Sequence, residues 1–397
     1  MDGKLIPNAP SARLPELDGL RAIAVLLVLC AHLLCFMPIP WFALVVEKGW
    51  VGVDLFFVLS GFLIGGILLD NRPAENYYRV FYLRRFLRIV PLYAVLVFPG
   101  LLILSCGLQS HFSGHSLAGQ SAVGAWLCVF FVQNFGSLFH LDVPQYLAPT
   151  WSVAVEEQFY LLLPPLVRNL DRKQILKILM VAIVFAPLLR GIMIMALGSN
   201  ATRPCYTLLP CRWDSLLLGV ACALACRHPN FRPWLASRWR EAQIFWLLSI
   251  LGSIAWLFCT QGRSDPRFQF LGYTWIDLCF ACTLLLAVMN PAGRLCRALS
   301  LPFFKPIATV SYGLYLLHSP ILGIIESLFR FMHIECPRVS WTETGMAMLS
   351  MVVTILAAAV SWRFFESRMI ALGHHHRYQP PPTVSGRTSA MQLTSTD

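Results

Sequence analysis

Gly52-Val-Asp-Leu-Phe-Phe-Val-Leu-Ser-Gly61 opens a run, 49–70, that stays apolar until Asp70 with Asp54 as its one earlier acid. A helix needs about 20 mostly apolar residues to cross the hydrocarbon of a bilayer, and this run has that length. Working outward, similar runs lie near 18–37, 89–107, 122–139, 151–168, 175–197, 211–226, 242–260, 272–290, 307–331 and 345–363. Only 13% of the 397 residues are charged and 57% are hydrophobic, whereas a soluble domain is roughly one quarter charged. That leaves too little polar surface to cover a globule in water. The fold class expected is therefore all-α: a polytopic transmembrane helical bundle.

The net charge of +11 would fit a nucleic-acid binder if the basic residues formed one face. They alternate between connections instead, the pattern in which Lys and Arg collect on the cytoplasmic side of a membrane protein. Lys4 and Arg13 put the N-terminus inside, and Arg72, Arg79, Arg84, Arg85 and Arg88 follow the second run. From the other end, Arg363, Arg368 and Arg377 put the C-terminus inside. The connections with Arg294, Arg297 and Lys305, with Arg227, Arg232, Arg238 and Arg240, and with Arg168, Arg172, Lys173 and Lys177 then lie inside too. Both ends agree only if 122–139 or 151–168 fails to cross. The run 151–168 is the weaker, since it contains Glu156, Glu157 and Gln158 and ends at Pro164-Pro165.

The expectation is about ten spans plus one re-entrant or non-spanning segment, with both termini cytoplasmic. It divides the chain into a cytoplasmic segment 1–16, a membrane domain 17–372 and a disordered cytoplasmic tail 373–397, whose last part is rich in Pro, Ser and Thr. The first run holds Arg21 and His32 and precedes no small-residue cleavage pattern, so it reads as a retained span. The 13 cysteines show no paired metal spacing and sit mainly in apolar runs, where Cys behaves as a small hydrophobe. No metal site is expected, and Cys205 and Cys211 are the one pair to check for a disulfide.

Ionisable groups inside membrane helices are costly and usually functional. Arg21 and His32 are eleven residues apart, close to three helical turns, so they share a face at a separation of roughly 16 Å. An Arg fork suits phosphate, and His is the natural proton acceptor near neutral pH; an Arg reaching for the interface and a satisfied core His explain the pair equally. Asp54 either caps its helix or lines a pocket, and Ser60-Gly61 permits close helix packing. Arg85 and Arg88 are helix neighbours on the side where a soluble anion would arrive, while Arg84 reads as an anchor to the membrane surface.

Trp151-Ser-Val-Ala-Val-Glu-Glu-Gln-Phe-Tyr160 carries two adjacent carboxylates with no basic residue nearby in sequence. On a helix they point roughly 100° apart, so one can face a cavity. A carboxylate hydrogen-bonded to an imidazole would fix its tautomer and stabilise the imidazolium. Arg212 and Asp214 read as a salt bridge with each other, and Arg363 and Glu366 as a terminal ion pair. Tyr312, Tyr315 and His318 are spaced three apart and can share one face, as cavity lining or as structure.

With these residues assembled, the chain resembles the acyltransferase-3 family of membrane acyltransferases, which modify lipopolysaccharide, exopolysaccharide, peptidoglycan and related sugars. The resemblance runs from about Leu17 to Glu366. It rests on Leu17-Asp-Gly-Leu-Arg21 with His32, Gly52-Val-Asp-Leu-Phe-Phe with Ser60-Gly61-Phe62, Arg85-x-x-Arg88 with Pro91 and Tyr93, Trp151 to Tyr160, Arg212 to Gly219, and Ser311 to His318. It implies acyl-CoA, chiefly acetyl-CoA, as a co-substrate entering from the cytoplasm, with no tightly bound cofactor. The implied acceptor is a carbohydrate or lipid-linked glycan, and the implied setting is a bacterial inner membrane with its lipid; nucleic acid is not a partner.

The resemblance also implies that His32 and the Glu156/Glu157 region are essential, with Arg21, Arg85 and Arg88 serving the donor. Asp54, Ser60, Tyr160, Tyr312, Tyr315 and His318 are the remaining candidates for the pocket wall. Ala154 stands where relatives often carry a small polar residue. The extra esterase-like domain of some relatives is not expected here, so transfer is expected to finish within the membrane domain or to use a partner. The function expected is O-acyl transfer from acyl-CoA to a glycan hydroxyl, with His32 as base oriented by Glu156 or Glu157. A small-molecule or lipid-linked sugar transporter is the alternative; inverted repeats around a midplane site would mark it, and no matching halves are visible. A degenerate family member that only binds lipid-linked sugar is a third reading, against which the retained His and Glu pair argues.

Overall fold

Helices make up almost all of what the computed structural model describes, namely residues 14–105, 122–139, 141, 143–334 and 339–380, and no strand occurs among them. The long helices are α1 (Pro15–Leu33), α2 (Gly52–Asp70), α3 (Tyr77–Ser105), α4 (Trp151–Asn169), α5 (Arg172–Leu197), α6 (Leu209–Cys226), α7 (Trp239–Phe258), α8 (Tyr273–Met289), α9 (Ser311–Phe331) and α10 (Trp341–Ser361). A shorter α11 (Ser367–His375) follows them. Seven stretches are long and apolar enough to cross a membrane, one of which, Arg172–Cys226, contains both α5 and α6. Helices α1 and α4 have the length but carry more charge: Glu16, Asp18 and Arg21 in one, Glu156, Glu157 and Arg168 in the other. These two helices supply much of the candidate site.

The two doubtful runs differ in the structure, and neither is among the seven stretches long and apolar enough to cross. Residues 151–169 form one unbroken helix through Pro164 and Pro165, whereas 122–139 breaks after the eight-residue helix Ala122–Val129. The stop is made by Phe131 at φ 55°. Its N–H bonds the Cys128 carbonyl and that of Val132 the Leu127 carbonyl, the paired closure of a left-handed helix end that usually uses Gly. Phe131 stacks on Tyr93 at 4.5 Å, and Gln158 of α4 donates to its carbonyl at 2.8 Å. Pro165 leaves the Leu161 carbonyl without its helical N–H, and Tyr82 donates to it, while Tyr77 donates to the Pro164 carbonyl.

One end of the bundle collects the basic connections. Arg227 grips Asp70 through two hydrogen bonds of 2.6 Å, Arg172 donates to the Leu224 carbonyl, and Asn76 to that of Arg377. Gly19 abuts the Leu299 backbone at the same end. The opposite end joins Asn134 to Thr207, Gln269 to Thr202 and Ser319 to Gln145. The alternation read from loop charge thus corresponds to two physical ends, here called the basic end and the far end.

Helices α2 and α6 form the most extensively packed pair. A Cβ on Gly61 would collide with the Leu216 carbonyl oxygen, and one on Gly219 with that of Val58, so small residues let the backbones touch.

The boundary expected at 372 falls inside α11. Beyond it the chain remains docked on α3: Arg84 donates to the His376 carbonyl and Gln379 N–H to the Asn76 side chain. Of the expected terminal segments, 1–13 and 381–397 lie outside the described residues. Cys205 and Cys211 are both buried free thiols. Glu366 does not pair with Arg363 as expected; it accepts from Ser361 at 2.7 Å, because the turn Trp362–Glu366 is π-helical and aligns residues five apart.

Candidate active site

A cavity of about 260 Å³ opens inside the bundle between α1, α2, α3, α4 and α9. Arg21, Arg85 and Arg88 line it together with Glu156, Tyr160, Ser60, Tyr312 and Tyr315. Eight of the residues singled out from the sequence therefore share one wall, drawn from five helices.

Hydrogen bonds order that wall. Tyr160 donates to Glu156 at 3.2 Å, and since its one proton goes there, Ser60 donates to the Tyr160 oxygen at 2.6 Å. The Arg85 guanidinium lies 6.0 Å from the centre of the Tyr160 ring, within reach of cation–π attraction. Arg21 also lies 4.0 Å from Asp18. Tyr312 donates to the Ile89 carbonyl at 2.8 Å. Tyr315 donates to the Pro149 carbonyl at 2.8 Å and accepts from Ser152 at 2.6 Å.

His32 is elsewhere. It does not line the cavity; it is exposed and stands against His318, with ring centroids 5.0 Å apart. Its Nδ1 lies 2.8 Å from the Val28 carbonyl oxygen. A carbonyl only accepts, so this nitrogen carries the proton and Nε2 keeps its lone pair. His318 is fully buried, its Nδ1–H donates to the Tyr315 carbonyl at 2.6 Å, and its Nε2 has no partner. Among the described residues neither Glu156 nor Glu157 hydrogen-bonds to His32. The expected carboxylate–imidazole pairing is replaced by backbone carbonyls that fix each tautomer. Glu156 instead lines the cavity together with Arg21, which lies three turns of α1 from His32. Glu157 turns away from the cavity, its Oε1 buried without a partner.

Asp54 is not at the cavity wall either. It forms a fully buried ion pair with Arg212, whose guanidinium lies 4.2 Å from the centre of the Tyr273 ring. Asp214 pairs with Arg190 at 2.9 Å and accepts from Thr274 at 2.6 Å. Residues two apart on a helix face different neighbours, so Arg212 and Asp214 recruit separate partners rather than each other. Asp277 is buried nearby, neither oxygen hydrogen-bonded. Arg190 and Asp277 were overlooked in the sequence, although a charge inside an apolar run was the signal that found the others.

A charged cavity enclosed by apolar membrane helices defines the class: an integral membrane protein with a polar internal site. The chain belongs to the acyltransferase-3 family, whose acyltransferase-domain profile matches residues 14–363. It is similar to the peptidoglycan O-acetyltransferase OatA of Listeria monocytogenes, 28% identical over 372 residues, covering 89% of this chain and 55% of the relative. It is also similar to the O-acetyltransferase OatA of Staphylococcus aureus, 29% identical over 374 residues with 89% and 57% covered. A third relative is the putative peptidoglycan O-acetyltransferase YrhL of Bacillus subtilis, 28% identical over 367 residues with 89% and 54% covered. The chain spans about half the length of these relatives. No solved structure matches.

Proposed function

We propose that this protein is an O-acyltransferase of the cell envelope, taking an acyl group from an acyl-CoA thioester and passing it to a glycan hydroxyl. The basic end is then cytoplasmic, as the loop arginines favour, both termini lie there, and the membrane is a bacterial inner membrane. The relatives' names, O-acetyltransferase and peptidoglycan O-acetyltransferase, favour acetyl as the group and peptidoglycan-like sugar as the acceptor.

One observation carries the reading. The cavity runs from three arginines to Tyr315, and His318, paired with His32, stands one helical turn beyond. Arginine forks suit the donor's phosphates, and the apolar wall of Val53, Phe56 and Phe57 suits its pantetheine arm. Roughly 16 Å along α1 separates the phosphate-binding end from the imidazole, a span for that extended arm.

In this mechanism the acceptor hydroxyl arrives from the far end, where His32 is open. His32 Nε2 takes its proton as the oxygen attacks the thioester carbonyl. The tetrahedral adduct collapses with loss of the CoA thiolate, which takes up the proton. Glu156 holds Tyr160 and, through it, Ser60; it shapes the donor chamber. The test is acetyl transfer from labelled acetyl-CoA to a muropeptide-type glycan by the full chain in lipid vesicles. Transfer lost in His32→Ala, with the protein level unchanged, supports the reading; absence of transfer from any short acyl-CoA by the wild type overturns it.

A further inference from the structure

At the far end, beside His32, the turn Gly262–Ser264 carries Arg263. Its guanidinium lies over two rings, 4.8 Å from the centre of Tyr206 and 5.5 Å from that of Trp50. Trp50 follows Gly49, which packs against the α1 backbone at Leu27 and the Ala31 methyl, so the stack stands next to the turn that bears His32. Arg263 is also the charged group whose field reaches that imidazole.

The turn is rigid. Gln269 donates to the Arg263 carbonyl at 2.8 Å, the Thr260 hydroxyl accepts from Gly262 N–H, and Gly262 occupies φ 59°, where Gly is unstrained. Arg263 itself is exposed and has no carboxylate partner among the described residues. The nearest acid in the turn, Asp265, is already held by Arg267 at 3.2 Å and 2.9 Å. That hydrogen bonding keeps the Asp265 carboxyl down at about 2, charged and committed.

A guanidinium held over two aromatic rings, with Tyr206 as a hydrogen-bond partner and no acid, has further N–H donors for a planar anion. We propose that Arg263 is a specificity residue on the acceptor side, recognising an acidic group, carboxylate or phosphate, on the sugar whose hydroxyl is acylated at His32. This rests on the acyltransferase reading. The acid would seat the sugar with its hydroxyl towards His32 Nε2, and a neutral sugar would lack that anchor.

The experiment uses the full chain in nanodiscs with three acceptors: a glucuronate-containing disaccharide, its glucose counterpart and a glucose phosphate. For Arg263→Ala, KM for the acidic acceptors is expected to rise tenfold or more with kcat little changed, while the neutral acceptor is unaffected. Arg263→Lys, which keeps the charge but loses the planar stack, falls between. The preferred acid is whichever of carboxylate and phosphate shows the larger KM shift. Equal loss of kcat with all three acceptors, or no change with any, overturns the proposal. Saturation-transfer NMR of the same sugars without donor separates the two claims. A preference of the wild type for acidic sugars that vanishes in Arg263→Ala supports the site even where CoA-dependent transfer fails, and a wild type blind to the acid overturns it.

Discussion

His32 and His318 stand ring against ring at 5.0 Å, each with Nδ1–H on a main-chain carbonyl. Both imidazoles are thereby fixed as the tautomer with a free Nε2, and one is open while the other is buried. Each imidazole is thus oriented by its own helix, His32 by α1 and His318 by α9.

His32→Ala is expected to lower kcat by about 100-fold or more, the range in which general bases contribute. Stabilisation by CoA should persist, because His32 is not part of the cavity wall. Transfer assays and thermal unfolding of the same preparation check this together. Loss of CoA stabilisation in the mutant would put His32 in the donor chamber instead.

Arg85→Ala and Arg88→Ala should each raise the donor KM by roughly tenfold, the cost of one hydrogen bond to a charged group. The rise in Tm that CoA produces in the wild type should shrink accordingly. Arg84→Ala is the comparison, since Arg84 serves the His376 carbonyl and the Tyr378 ring; it should leave donor KM unchanged. An equal effect of all three would reduce the arginines to a general surface charge.

Asp54→Ala leaves Arg212 buried without its counter-charge. Removing one partner of such a pair costs about 3–5 kcal/mol, so folded protein recovered from membranes should fall sharply. Replacing both, as Asp54→Leu with Arg212→Met, should recover much of it, because an apolar pair of similar volume needs no charge balance. An unaltered Tm in Asp54→Ala would show that the pair contributes nothing to the packing of α2 on α6.

These outcomes also mark what the sequence revealed. Apolar runs and loop arginines disclosed the helical membrane architecture, and local spacing found Arg21, Arg85, Arg88, Glu156 and Tyr160, which do share a wall. Three features were hidden for physical reasons. The helix after Ala122 stops on a left-handed Phe131, a conformation that a sequence normally announces with Gly or Asn. Helix α4 was discounted for its acids, yet Glu156 faces a polar cavity. The partners of Asp54 and Asp214 come from α6 and α5, and residue spacing along one helix does not disclose pairing between helices.

The seam between α2 and α6 supplies the last prediction. At Gly61 an added methyl would meet the main chain at Leu216, and no flexible side chain is there to yield. Gly61→Ala should therefore destabilise by about 1–3 kcal/mol, the usual cost of overpacking, by pushing α6 and its Arg212 away from Asp54. Gly345, inside α10 with nothing within 4 Å of an added Cβ, is the control: Gly345→Ala gains helix propensity of up to about 1 kcal/mol. Thermal unfolding of the two variants in one detergent should therefore move Tm in opposite directions. A Gly61→Ala protein as stable as Gly345→Ala would mean that the two backbones do not touch.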